Sequence, residues 1–414
     1  MDLRSVRGTH DIYGDEILKF NKISKVVSTN AKISGFKELT TPIFEFSRLF
    51  EKPLGEQSDV VLKEMYSFED RNKENLTLRP EYTTPMIRAA ITNSMLNELP
   101  LKLFGIGPMF RRERPQKGRY RQFNQINFEI LGSEDYLADV ELIFVANEIL
   151  KKLLPNKIVI LNLNNLGSKK NLLDYKRSLT EFFKDKKNKL SKESIDKIEK
   201  NPLRILDSKN EIDIEISKNA PSIQDYVSDE LKGHHKKIKD SLNLLGIKFI
   251  ENSSLVRGLD YYCSTVFEFK TENLGSQDTI LGGGRYDGLV SILGGPDIPG
   301  IGWAAGVERI SLLMQNNTND VAKVHIAVTD REFTNHLLKL MQYLNFNKIS
   351  YYWNYKFNLK KSLSKANKLK VRKVIIIGEN ENKGNFFTVK DLQTGEQNEL
   401  NLNQLDKYFD DKNW

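Results

Sequence analysis

The stretch Phe123-Asn-Gln-Ile-Asn-Phe-Glu-Ile-Leu-Gly132, with Phe104-Gly-Ile-Gly-Pro-Met-Phe-Arg111 ahead of it, decides the fold. Along it Ile126, Phe128 and Ile130 alternate with Gln125, Asn127 and Glu129. Successive side chains of a strand point to opposite faces. The apolar set therefore shares one face, and the amides and the carboxylate share the other. Phe104–Arg111 reads as a strand as well. Between the two runs Arg111-Arg-Glu-Arg-Pro-Gln-Lys-Gly-Arg-Tyr-Arg-Gln122, a loop with six basic residues and one acid, turns the chain back. A core sheet with such a polar face turns it to solvent or lines a polar pocket with it. The basic loop beside it suits a triphosphate or a nucleic acid.

Downstream, Arg257-Gly-Leu-Asp-Tyr-Tyr-Cys-Ser-Thr-Val-Phe-Glu-Phe269 reads as a strand from Tyr261, by its aromatic and β-branched content. Arginine at its start presents a fixed fork of donors, and the tyrosines present apolar rings with polar tips. Leu281-Gly-Gly-Gly-Arg-Tyr-Asp-Gly288 reads as a glycine turn, where the backbone can approach something closely. Pro299-Gly-Ile-Gly-Trp-Ala-Ala-Gly-Val-Glu-Arg-Ile310 reads as a glycine-rich strand running into a helix, with Arg309 in its first turns. A helix start favours anions. The spacing of Gly300, Gly302 and Gly306 is not the dinucleotide fingerprint, and the chain holds no Walker-type loop.

Upstream, residues 15–34 have helical spacing ending at Gly35, and Phe36–Phe46 is strand-like, with Pro42 favouring an edge. Such an edge is commonly covered by another chain. Leu76–Pro80 reads as a strand leading to a helix that starts at Thr83 or Thr84, with Pro85 near its beginning. Glu81, just ahead of it, is either a helix-start charge or a site group. A helix over 135–154 and a strand from Lys157 follow. From Ser168 to about Asp240 the chain turns helical, with 18 basic and 14 acidic residues. That is a helical insertion, either a solvated surface or a polyanion contact.

Gln315-Asn-Asn-Thr-Asn-Asp320 is a polar linker. Beyond it strands at 324–329, 373–378 and 385–390 alternate with helices at 331–345 and 358–370, a small α/β domain. Between Lys356 and Lys373 stand eight basic residues and no acid. Leu359, Leu363 and Ala366 mark the buried side of that helix, and Lys361, Lys365 and Lys368 lie mainly opposite, as for an RNA backbone contact.

Composition sets the outer bounds. The 414 residues suffice for two or three domains, and a net charge of +8 permits a polyanionic partner. A single cysteine excludes an internal disulfide, and one Cys with five scattered His argues against a zinc site. No run reaches membrane-span length, and Met1–His10 has no apolar signal core. A cytoplasmic location with no membrane contact is expected.

Phe110-Arg-x-Glu, the basic loop and Phe123 resemble motif 2 of the class II aminoacyl-tRNA synthetases. Gly302-x-x-x-Gly306-x-Glu308-Arg309 resembles their motif 3, and the Pro42 region resembles motif 1, the dimer strand. Arg257–Tyr262 and Leu281–Leu289 resemble the two signatures of the histidyl-tRNA synthetase family. The resemblance runs nearly end to end. It implies an α+β chain: an antiparallel-sheet class II catalytic core over 1–320, interrupted by the helical insertion at about 168–240, and a C-terminal α/β anticodon-binding domain over 322–414. The activity implied is joining of L-histidine to tRNA-His through a histidyl-adenylate, with ATP as substrate, Mg2+ accompanying its phosphates, and a homodimer as the assembly.

Carried over residue by residue, the resemblance implies that Glu81, Thr83, Gln125, Glu129, Tyr261 and Tyr262 hold the histidine. Arg111 would grip the α-phosphate, and Arg257 would face it from the other side, doing the work of a metal ion elsewhere in the class. Arg309 would take the γ-phosphate, Phe123 would stack on adenine, and Glu113 would meet its edge. Tyr82 stands where glycine is usual, so it either narrows the histidine pocket or points away. Asn124 replaces a usual histidine and by alternation faces the apolar side. Two other protein classes share parts of this pattern: a regulatory paralogue of ATP phosphoribosyltransferase, and a tRNA-sensing module without catalysis. The first lacks the C-terminal domain and erodes the signatures; the second comes attached to a kinase.

Overall fold

The computed structural model describes residues 3–55, 58, 60–116, 118–208, 210–272, 278–315 and 324–410. The chain divides into two compact units, Met1–Gln315 and Asn316–Trp414. The linker beyond Gln315 and the expected 320/322 boundary lie outside the described residues.

The strands of the first unit are, in chain order, β1 (Lys37–Glu38), β2 (Phe44–Phe46), β3 (Tyr66–Glu69), β4 (Asn75–Leu78), β5 (Leu101–Phe110), β6 (Gln122–Leu131), β7 (Ile160–Asn165), β8 (Phe249–Glu251), β9 (Cys263–Lys270), β10 (Thr279–Arg285) and β11 (Gly300–Gly306). Eight form one sheet in the order β1-β5-β6-β11-β10-β9-β7-β8, and β2-β4-β3 form a small second sheet. From β5 to β7 every neighbouring pair is antiparallel; only the outermost pairs, β1 with β5 and β7 with β8, are parallel. The expected single strand over Phe36–Phe46 is thus two short strands in two sheets, parted around Pro42.

The alternation of β6 explains how the sheet is covered. Ile126, Phe128 and Ile130 are buried with Trp303, the Asp15–Ile33 helix (Ile23, Val27) and the Tyr136–Leu153 helix (Leu142, Ile143, Ile149). The Phe128 and Trp303 rings stack at 4.5 Å. The other face carries the polar row. Asp135 starts the Tyr136–Leu153 helix by accepting from the Leu137 amide at 2.9 Å.

Two expectations are revised here. The glycine triplet Gly282–Gly284 is no turn: it lies inside β10, paired on both sides. A triplet without Cβ atoms carries no period for a strand to be read from, so only the pairing reveals it. The helical insertion does contain the Lys169–Asp185 helix and several short ones, but its last helix, Asp229–Leu244, sends Ile238 and Leu242 into the main core. Its charged outer faces concealed that apolar stripe.

The second unit has its own core around Val324, Ile326, Leu340, Ile375 and Val389. Its five-stranded sheet has the order β13-β12-β14-β15-β16, with β12 Val324–Val328, β13 Tyr351–Phe357, β14 Lys373–Ile377, β15 Phe387–Asp391 and β16 Gln397–Leu400. β13 was not anticipated, because its aromatic run has no apolar alternation. The basic helix is Leu359–Lys368, with Ser362 and Ala366 buried. Lys361 and Lys368 are exposed, while Lys365 is half-buried, its Nζ 5.8 Å from the Tyr352 ring centre.

Candidate active site

The register of β6 against β11 builds the floor of a cleft. Glu129 faces Gly302, Asn127 faces Ala304 and Gln125 faces Gly306. Polar side chains on one strand thus stand opposite residues with little or no side chain on the next. A Cβ at Gly302 would collide with the Glu129 carboxylate, so this glycine is required by the neighbour lying over it. The same vacancy continues on β10, where Gly282 pairs with Ala304 and an added Cβ would strike the Arg257 guanidinium.

Above this floor opens a cleft of ≈ 470 Å³, lined among others by Glu81, Thr83, Arg111, Glu113, Phe123, Gln125, Arg257, Tyr261, Tyr262 and Arg309. Three arginines from distant parts of the chain meet there. Arg111, at the end of β5, donates from Nε to Pro80 O at 2.7 Å, with its guanidinium 5.4 Å from the Phe123 ring centre. Arg309 donates from Nη1 to Thr279 O at 2.7 Å. Arg257 donates to Glu268, which also accepts from Thr279 Oγ1 at 2.9 Å. Burial works against the Arg257 charge, but Glu268 together with Tyr262 and Tyr261 more than offsets it and keeps the guanidinium charged. Its Nε has no partner among the described residues.

Buried carboxyl groups lie in and behind the same cleft. Glu81 is buried, and its oxygens accept from the Thr83 and Thr84 amides, each at 2.8 Å. It is both helix-start charge and cleft wall. Burial pushes its carboxyl up. Glu129 sits deeper, taking Thr83 Oγ1 at 2.7 Å, Tyr286 OH at 2.5 Å and Asn127 Nδ2 at 3.3 Å. Burial dominates over these donors and pushes its carboxyl up to about 8. Gln125 Oε1, buried at the cleft, has no partner among the described residues. Glu113 is paired with Arg119 at 3.0 Å and with Arg111 at 3.8 Å.

A family model described as Histidyl-tRNA synthetase matches residues 8–310, and one described as Anticodon binding domain matches 323–412. The chain belongs to the histidyl-tRNA synthetase family. It is 44% identical over 404 residues to the histidine–tRNA ligase of Ehrlichia canis (strain Jake), covering 97% of each chain. To that of Wolbachia pipientis subsp. Culex pipiens (strain wPip) it is 43% identical over 397 residues, covering 96% of this chain and 97% of the relative. The apo crystal structure of S. aureus histidyl-tRNA synthetase superposes with a TM-score of 0.81 at 29% identity, over 99% of this chain and 100% of that one. The activity is accordingly ligation of histidine to tRNA-His at the cost of ATP.

In this synthetase Tyr82 does not narrow the cleft. It is fully buried away from it, packed beside Gly105 on β5, with its hydroxyl on Leu39 O at 3.3 Å and Arg79 stacked 4.2 Å from its ring centre. Glu129 lies behind the lining, reaching the cleft through the groups it holds. Asn124 faces the helix side, as alternation predicts, but with work to do there: its backbone amide and Nδ2 both donate to the buried Glu308 carboxylate, at 2.8 and 3.0 Å.

Four contributors to the synthetase site received no role from sequence reasoning: Tyr286, Asn127, Glu268 and Glu308. Tyr286 directly follows Arg285, which is locked in a buried ion pair with Asp139 and so fixes where β10 ends. For Asn127 a signal was present, since it shares parity with Gln125 and Glu129. No local pattern announces Glu268, because its partner Arg257 precedes the strand.

Proposed function

We propose that the cleft assembles histidyl-adenylate with the histidine side chain at the Glu129 end and the triphosphate among the three arginines. The observation that carries this reading is the convergence of Arg111, Arg257 and Arg309 in one cleft with the buried Glu81 and Gln125, Glu129 lying behind. Gln125, Tyr261, Tyr262, Thr83 and Glu81, with Glu129 behind, offer an imidazole and an ammonium polar partners from several sides. Phe123 has the same parity as Gln125 and so rises from the same sheet face, where its ring would stack on adenine. Glu113, held by two arginines, would meet the base edge. MgATP is the substrate form, its metal accompanying the β- and γ-phosphates.

The reaction is an in-line displacement. A carboxylate oxygen of histidine forms a bond to the α-phosphorus while the bond to the β-phosphate bridging oxygen breaks, releasing diphosphate. Negative charge spreads over the α-phosphate oxygens, and Arg111 and Arg257 are preorganised to meet it from two sides. The 3′-terminal ribose hydroxyl of tRNA then attacks the acyl carbon and AMP departs. Histidine-dependent exchange of diphosphate into ATP, followed by charging of tRNA-His, tests the whole reading; no exchange would sink it.

Glu129 gives a pH-dependent test. Its carboxyl is raised above its usual range, so the proton it holds when folded stabilises the protein. That contribution is complete below the usual carboxylate range and is lost as pH rises through about 8. Glu129→Gln removes the titration. Thermal unfolding is expected to show wild type losing more stability between pH 6 and pH 9 than the variant, and equal losses would contradict the assignment. Calorimetry at pH 9, where the wild-type carboxyl is charged, is expected to show histidine binding weakened about 10-fold or more in the variant, the scale of a hydrogen bond to a charged group.

The proposed assembly is a cytoplasmic homodimer. Ile43, Phe44, Phe46 and Phe68 of the small β2-β4-β3 sheet and its approach are solvent-exposed, a grouping of large apolar side chains that suits a second copy of this chain. Sedimentation at micromolar concentration is expected to give a dimer; a fully active monomer would refute it. Among the described residues no helix is long and apolar enough to cross a membrane, and the single cysteine is buried. For tRNA, the exposed Lys361 and Lys368 share a helix with Lys365, which lies over the exposed Tyr352 ring of β13, and so supply cations and an aromatic face of the kind that backbone and base contacts require.

A further inference from the structure

One wall of the cleft comes from the helical insertion: Lys197, Arg204 and Asp207 line it. Arg204 stands between Leu203 and Ile205, which are buried in the same core as Val256, Tyr261 and Tyr262. Its neighbours thus anchor the short Leu203–Leu206 helix and leave the arginine turned to the cleft. Its Nη2 donates to Gly258 O at 2.6 Å. A Cβ at Gly258 would come within 3.2 Å of that nitrogen, so the contact is close all along the residue. Nearby, Asn201 Nδ2 donates to Asp260 Oδ1 at 3.0 Å.

These contacts fall on the segment that delivers Arg257, Tyr261 and Tyr262 to the cleft. Residues 256–262 precede β9 and belong to no helix or strand, with a turn at Asp260–Tyr261. The segment is therefore placed by side chains, not by a ladder. Arg204 and Asn201 hold its middle, and Asn164 Nδ2 holds its start through Leu255 O at 3.0 Å. An arginine donating to a carbonyl at this length is a strong charge-assisted bond.

We propose that Arg204 is a positioning residue for Arg257: its hold on the Gly258 carbonyl sets where the Arg257 guanidinium stands, and so makes the rate of adenylate formation depend on how the helical insertion is seated. The inference rests on the reading of Arg257 given above. Arg204 acts through the peptide next to Arg257 and needs no contact with histidine or ATP. Misplacing a group that meets the transition state by a fraction of an ångström is costly in rate while leaving ground-state binding nearly intact.

The test is single-turnover adenylate formation by the full-length protein, at saturating histidine and ATP, in Arg204→Met, Arg204→Lys, Arg257→Lys and the Arg204→Met/Arg257→Lys double variant. Arg204→Met is expected to slow the step about 10-fold, with half-saturating histidine and ATP changed less than ~3-fold. Arg204→Lys, whose ammonium can still donate to the carbonyl, should recover most of the rate. The double variant should be no slower than Arg257→Lys alone, because the two residues act as one unit. A wild-type rate in Arg204→Met overturns the proposal, and so do losses that multiply in the double variant. Should Arg204→Met fail to fold by circular dichroism, Arg204→Ala, which also lacks a donor, replaces it in the same cycle. A wild-type protein without histidine-dependent exchange would refute the site reading itself; exchange with an indifferent Arg204 refutes only this coupling.

Discussion

Replacing Arg257 by lysine is expected to slow histidyl-adenylate formation about 100-fold or more, the scale of losing one preorganised donor to a developing oxyanion. Lysine keeps the positive charge and can still pair with Glu268. Its three donors radiate from one nitrogen, so it cannot hold that ion pair and also present a planar, two-nitrogen fork to the cleft. In the wild type one guanidinium nitrogen is committed to Glu268 while Nε is unpartnered among the described residues, and the ring of Tyr262 lies 5.4 Å from the guanidinium carbon. That arrangement fixes the plane of the group before substrate arrives. Because the lost interaction belongs to the transition state, histidine affinity should change only a few-fold. Pre-steady-state measurement at saturating ATP, with histidine varied, separates the two quantities. A wild-type rate in Arg257→Lys would mean that the chemistry is centred elsewhere in the cleft. Glu129→Gln should show the opposite partition, with affinity falling and the saturated rate largely kept.

The second large effect concerns the C-terminal unit. A chain ending at Gln315 is expected to keep histidine-dependent diphosphate exchange while charging of tRNA-His falls by about 100-fold or more, on the scale of losing several phosphate contacts. Each unit has a hydrophobic core of its own, so the first should fold without the second. The cleft residues all lie within the first unit. Reversing Lys361 and Lys368 to glutamate in the full chain tests the basic helix by itself. It should raise the tRNA concentration needed for charging, flatten its dependence on salt, and leave exchange untouched. Normal charging by a folded truncated protein would show that this unit makes no productive tRNA contact.

Much of this was legible in the residues themselves. The alternation from Gln125 to Ile130 is local, set by the strand's own pleat, and it separates an apolar face in the core from a buried polar face. The helix from Thr83, the Asp15–Ile33 helix and the antiparallel return of β5 into β6 were readable for the same reason, since period, caps and turn lie within a few residues of one another. The residues named by resemblance come together: apart from Tyr82 and Glu129, those expected to hold histidine and ATP line one cleft.

What the tertiary structure decided is everything that depends on register between strands far apart in the chain. Only the pairing of β6 with β11 explains why Gly302 must lack a side chain, and only the pairings of β10 turn an apparent glycine turn into a central strand. Tyr82 could point either way on its own sequence; Gly105, across on β5, makes the space that draws it from the cleft. Glu268 on Arg257, Asn124 on Glu308 and Arg204 on Gly258 are likewise contacts between separate elements. A residue's face follows from its own backbone, but its partner depends on how distant segments slide past one another, and that is settled by packing the whole core at once.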